Sequence, residues 1–129
     1  MIEYPYLLIR GKYFPIMPVT LINKDIEKEF FALIDSGSSI SIFKPEVARQ
    51  LNIDLEKGEK LLMEGVSGKI SVYVHKIKIR VEDYEFTAKI AFSEEYTASL
   101  NILGRDSFFN HFLITFDENK RKIMLKRVK

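Results

Sequence analysis

One run in the first third of the chain constrains the rest: Phe30-Phe31-Ala32-Leu33-Ile34, then Asp35-Ser36-Gly37-Ser38-Ser39, then Ile40-Ser41-Ile42-Phe43. Five consecutive apolar residues, rich in aromatic and branched side chains and bounded by a turn signal, read as a strand covered on both faces. Asp35 stands at the mouth of that strand. A carboxylate placed there must find donors, shift its pKa or face a cleft, because its lost water has to be replaced. All three outcomes are compatible with catalysis. Gly37 accepts strained backbone angles and the short hydroxyls of Ser36 and Ser38 bond locally, so the turn reads as a cradle for the carboxylate. Asp-Ser-Gly is also an ordinary turn, expected by chance in roughly one chain of this length in twenty. The apolar run before it, and the alternation of Ile40 and Ile42 with Ser39 and Ser41 after it, place this one between two strands.

The 129 residues are one domain's worth, enough to bury about two thirds of the unfolded surface. A formal charge of +2 is too small to argue for nucleic acid, and 47% hydrophobic with 29% charged residues is the balance of a soluble globular protein. The chain has no cysteine, which excludes disulfides, thiolate zinc sites and a cysteine nucleophile and fits a reducing compartment. His75 and His111 are the only imidazoles and lack metal-ligand spacing, so both are expected to be structural and no metal or other cofactor is expected. The start, Met1-Ile2-Glu3-Tyr4-Pro5, carries neither a basic segment nor a long apolar one, and no apolar run reaches the roughly 18 residues of a membrane span. A cytoplasmic protein without membrane or nucleic-acid partners is expected.

Taken in order, Ile2 to Ile9 alternates imperfectly around Pro5 and reads as an edge strand or arm whose partner could be another chain. Val19 to Ile22, ended by Asn23-Lys24-Asp25, forms a hairpin with the Phe30 strand. Lys44-Pro45-Glu46 opens a short helix whose stripe is Val47, Ala48 and Leu51. Gly65-Val66-Ser67-Gly68 reads as a hairpin tip between β-forming segments. Ile70 to Val74, Ile77 to Val81 and Tyr84 to Phe92 keep a period of two and form a meander. Leu100 to Leu103 is an apolar strand stopped by Gly104; Asp106 can cap a short helix through Phe109; Phe112 to Phe116 and Ile123 to Leu125 form a last hairpin. The arm spans 1–14, and the basic tail, 120–129, reads as a solvated edge. Residues 1–129 form a single, mostly β domain with one or two short helices.

Three motifs in this order, Asp35-Ser36-Gly37, the Gly65 to Gly68 tip and Ile102-Leu103-Gly104-Arg105-Asp106, resemble retroviral-type (retropepsin-like) aspartic proteases, above all the bacterial and archaeal cellular members. The likeness runs roughly from Pro15 to Leu125. It implies a closed acid-protease-like β-barrel, one lobe per chain, active as a homodimer in which each copy gives one aspartate. Amide hydrolysis by general acid-base catalysis needs one ionised and one protonated carboxylate, and the chain carries one such motif. By the resemblance Asp35 is catalytic, the Gly37 N–H and Ser38 hydroxyl orient it, and Ser36 bonds across the dimer. Gly65, Val66, Ser67 and Gly68 are the flap that closes on an extended peptide, while Ile102, Leu103 and Gly104 buttress the Asp35 loop. Retroviral members pair the arginine at the place of Arg105 with an acidic residue four positions after the catalytic aspartate; here that place is Ser39. Ser67 stands where they usually have glycine, which stiffens the tip. The expected function is an aspartic endopeptidase acting on extended protein segments; the alternative is a catalytically silent binding or assembly module of the same fold. A serine hydrolase built on Ser36 is a distant third, lacking the Gly-x-Ser-x-Gly elbow and a histidine partner.

Overall fold

The computed structural model describes residues 1–65 and 68–128. Twelve strands lie among them, with one α-helix and two single-turn 3-10 helices, so the chain is mostly β as expected. β4 (Ile16–Asn23) and β5 (Ile26–Ile34) form the first long hairpin, turning at Lys24 and Asp25. After the Asp35 turn come β6 (Ile42–Phe43), α1 (Pro45–Gln50) and a 3-10 turn at Leu55–Lys57. Pro45 begins α1 where its missing N–H costs nothing, and Val47, Ala48 and Leu51 are buried under it. β7 (Glu59–Gly65) and β8 (Gly68–Val81) make the second hairpin, and β9 (Tyr84–Phe92) returns along β8.

These strands close on themselves. β4, β5, β10 (Asn101–Leu103), β6, β9 and β8 are hydrogen-bonded in that order, and β8 pairs back to β4 through Thr20 opposite Arg80 and Ile22 opposite Lys78. The ring leaves no edge exposed along most of its wall, and β7 stands outside it, paired only to the first half of β8. Met17, Leu21, Ile34, Phe43, Ile79, Ile90 and Phe92 fill the interior. A smaller cluster of Ile42, Val72 and Ala91, with Met63, Ile70 and Tyr96 against it, lies beneath the β7–β8 hairpin.

Four expectations change. The Phe30 strand is not covered on both faces, because it is one wall of a ring: Ala32 and Ile34 point inward, while Phe31 is 49% exposed. The N-terminal arm does not await another chain. β1 (Ile2–Pro5) pairs antiparallel with β12 (Lys122–Arg127) of the same chain, Ile2 opposite Leu125 and Tyr4 opposite Ile123. β12 in turn pairs with β11 (Phe112–Asp117), so the basic tail is the middle strand of a three-stranded sheet rather than a solvated edge. Period two explains this: Ile123 and Leu125 are fully buried, while Lys122 and Lys126, one residue before and after them, lie on the opposite face. Between β1 and the ring, Tyr6 enters the core, and β2 (Leu7–Ile9) and β3 (Lys12–Phe14) form a small hairpin. Arg10 and Gly11 supply its two positive φ angles, 50° and 79°, as a tight primed turn requires. Asp106 caps no helix; a 3-10 turn forms instead at Phe109–His111, with Phe108 as the residue before it.

Both histidines sit in structural contacts. His75 Nε2 lies 2.8 Å from the Leu55 carbonyl, and the His111 ring stacks on Phe86 with centroids 4.2 Å apart while its Nδ1 meets the Tyr84 hydroxyl at 2.8 Å. Burial holds the His111 pKa below its ordinary 6.5, since charging the ring would strand a cation among Phe86, Tyr84 and their neighbours. The unfolded chain therefore binds the proton more readily, so this contribution to stability is complete above about pH 6.5 and is lost as the pH falls through the folded value. The urea midpoint of the wild type is expected to drop further on acidification than that of His111→Phe; equal drops would refute this.

Among the described residues no helix is long and apolar enough to cross a membrane.

Candidate active site

Two strand exits converge to make the site. β5 and β10 run parallel, with Leu33 opposite Ile102 and Ile34 opposite Leu103, so the residues that follow each strand emerge side by side at the same end. Asp35 follows β5 and Gly104 follows β10. The Asp35 N–H donates to the Leu103 carbonyl at 3.0 Å, and the N–H groups of Arg105 and Asp106 donate to the carbonyls of Ser38 and Ser39, both at 2.9 Å. Gly104 is buried in the crossing of the two segments. A Cβ there would lie 2.2 Å from the Ile40 carbonyl oxygen and 2.6 Å from that of Ser38, so only glycine fits. Its own N–H is taken by the Ser41 hydroxyl at 3.0 Å.

Asp35 itself is half-buried at the rim, flanked by exposed Ser36 and Gly37. Its Oδ1 accepts the Gly37 N–H at 2.9 Å, which fixes one oxygen, and the other accepts no hydrogen bond among the described residues. The Ser38 hydroxyl, expected on the carboxylate, donates instead to the Ile40 carbonyl at 2.7 Å and so tightens the turn from behind. The ledge is thus held by backbone bonds, not by a side-chain ion pair. Arg105 is exposed, and among the described residues its guanidinium has no carboxylate within 4.0 Å, consistent with Ser39 where an acid would stand.

Above the ledge stands the β7–β8 hairpin, Gly65 paired with Gly68 and Met63 with Ile70. Gly68 takes φ +118°, a backbone conformation open to glycine. Val66 and Ser67 lie outside the described residues. Leu62, an apolar side chain on this hairpin, is 69% exposed among the described residues. Ile102 is half-buried against the cluster under the hairpin, and Leu103 is fully buried in the main core.

Three contributors were not singled out from the sequence. Asn101, 5% exposed, accepts the Lys44 N–H at 2.8 Å and donates to the Phe31 carbonyl at 3.0 Å, stapling β10 to β5 and to the entry of α1. Ser41, 1% exposed, holds Gly104. Each is a lone polar residue in an apolar run, and that is the signal by which both could have been found. Tyr96 is the third. Its hydroxyl donates to the Leu100 carbonyl at 2.6 Å, and its pKa is raised by burial first and by the charge of Asp35 second, which places the phenol in the field of the carboxylate. It is the one aromatic residue in the polar loop Ser93 to Ser99.

Comparison with known proteins bears on this arrangement. The family model described as Aspartyl protease matches residues 17–106. No curated protein matches the chain. Among solved structures, a retropepsin-like aspartic protease from Rickettsia conorii superposes with TM-score 0.66 at 17% identity, over 95% of this chain and 98% of that one. The EIAV protease, complexed with the inhibitor HBY-793, superposes with TM-score 0.57 at 17% identity, over 77% of this chain and 88% of that one. The matched span begins in β4 and ends two residues past Gly104, enclosing both strand exits that build the ledge, and the chain belongs to the aspartyl protease family, with a retropepsin-like fold.

Proposed function

We propose that the protein is an aspartic endopeptidase that works as a homodimer, with Asp35 of each copy forming the catalytic pair. One observation carries this reading: Asp35 is held by its backbone on a rigid ledge at the surface, with one oxygen fixed and the other free among the described residues. A single carboxylate cannot be general base and general acid at once. Two of them brought to about 3 Å cannot both ionise and share one proton, so that one activates water while the other protonates the carbonyl oxygen. Water is the nucleophile, and no acyl-enzyme forms. The Gly37 N–H keeps the carboxylate oriented, and Ser36, exposed beside it, faces the second copy.

An extended segment of substrate lies between the ledge and the β7–β8 hairpin, held by main-chain hydrogen bonds in the manner of an added strand. The tip, Gly65 to Gly68, closes over it as a flap; Ile102 to Arg105 support the loop below. The exposed apolar side chains of Leu61 and Leu62 suit contact with a partner or with substrate. The reading includes a cytoplasmic setting, supported by a chain without cysteine.

Shared active sites obey mass action. Cleavage per chain is expected to fall on dilution in step with a shift of solution mass from twice 15.1 kDa to 15.1 kDa, and a statine-type peptide, which mimics the tetrahedral diol, is expected to inhibit. A strict monomer that cleaves equally well at every concentration would refute the paired mechanism.

A further inference from the structure

β9 ends at Phe92 opposite Tyr73, and the next outward-facing pair of backbone groups on β8, those of Ser71, would be left without a strand. Side chains take over there. The Ser93 hydroxyl donates to the Ser71 carbonyl at 2.6 Å and accepts the Glu95 N–H at 3.0 Å, and Glu95 Oε2 accepts the Ser71 N–H at 2.6 Å. Glu95 is therefore anchored at both its backbone and its carboxylate, whereas most surface glutamates are free to swing. Its second oxygen accepts no hydrogen bond among the described residues. The neighbouring charges are already engaged: Glu94 with Arg49 at 2.6 Å, and Lys69 with Glu64 at 3.6 Å.

This fixed carboxylate borders a cavity of about 280 Å³ between the β7–β8 hairpin and the loop after β9. Met63, Ile70 and Tyr96 form its apolar walls, and Tyr96 is the residue that feels the charge of Asp35. The volume falls just short of the ~300–1,000 Å³ of a small-molecule site and suits one side chain. We infer that this cavity is a substrate subsite selective for a basic side chain, with Met63, Ile70 and Tyr96 covering the aliphatic stem and Glu95 receiving the ammonium or guanidinium head. Lysine and arginine lay their stems on apolar surface and keep the charge at the tip, and this pocket offers those two surfaces in that order. A fully apolar residue would leave the carboxylate unanswered.

The inference rests on the endopeptidase reading, and its test separates the two. Cleavage of a random peptide library, mapped by mass spectrometry, is expected to show basic residues enriched about tenfold at one position relative to the cut. Glu95→Gln removes the charge but keeps an oxygen for the Ser71 N–H, so it should still cleave while losing the enrichment; Glu94→Gln should keep it. Enrichment absent from the wild type, or surviving Glu95→Gln, overturns the subsite. Should the wild type cleave nothing, the endopeptidase reading fails, and the subsite is then decided by fluorescence anisotropy. A lysine-containing peptide pool binding Asp35→Asn about tenfold tighter than its norleucine counterpart upholds it, and equal or no binding overturns it.

Discussion

Asp35→Asn is expected to abolish peptide-bond cleavage, with kcat/KM lower by at least ~10²–10⁴, the range associated with a single acid-base group. In a homodimer both copies lose the group, so neither base nor acid remains. The fold should survive, because the asparagine amide oxygen can still accept the Gly37 N–H that now ends at 2.9 Å on Oδ1. An unchanged urea midpoint alongside lost activity would mark the effect as chemical. Mixing adds a sharper readout. If equal amounts of wild type and variant pair at random, about a quarter of the dimers carry two aspartates, and activity should fall accordingly below the value for wild type alone. Cleavage by the variant at the wild-type rate would end the aspartate mechanism. Peptide binding by both chains with cleavage by neither would point to the silent binding module.

Gly104→Ala is expected to be the most destabilising single-methyl change in the site, at about 3 kcal/mol or more, the upper end for overpacked positions. The magnitude follows from what the methyl would strike. Its nearest atoms, at 2.2 and 2.6 Å, are backbone carbonyl oxygens of Ile40 and Ser38, and neither can turn aside as a side chain would. Relief requires the Asp35 loop to move off β10, which also breaks the bonds of Arg105 and Asp106 to Ser38 and Ser39. With a urea dependence of about 1–3 kcal/mol per molar for a small protein, the midpoint should fall by roughly 1–3 M. Gly37→Ala makes the comparison. Its Cβ would meet only Asp35 Oδ1, at 3.2 Å, so it should disturb the carboxylate and activity far more than stability. Equal midpoints for the two variants would show that the crossing at Gly104 is not the clamp described.

What was legible beforehand is what short-range chemistry dictates. Proline at the start of α1, the glycines at Gly65 and Gly68, and the period-two runs from Ile70 to Phe92 each act within a few residues; α1 and the meander formed there, with the Ile70 and Ile77 runs joined into the one strand β8. Partner choice is different. Nothing near Ile34 announces that its neighbour in the sheet is Leu103, yet this parallel pairing turns an Asp-Ser-Gly turn into a ledge. Ile2 likewise finds Leu125 at the far end of the chain, and a run of lysines disguised the buried stripe of β12. Hydroxyls were the hardest to read. Ser38 was expected on the carboxylate, and the shape of the turn gives its hydroxyl to the Ile40 carbonyl instead.

The pairing of β1 with β12 has a bearing on how two copies meet. Because β1 and β12 are already paired within one chain, the homodimer proposed above would form without trading these two strands between copies. Copies of the proposed dimer would then meet and part as folded bodies. On that reading, wild type and Asp35→Asn, once mixed, should exchange partners without a slow unfolding step.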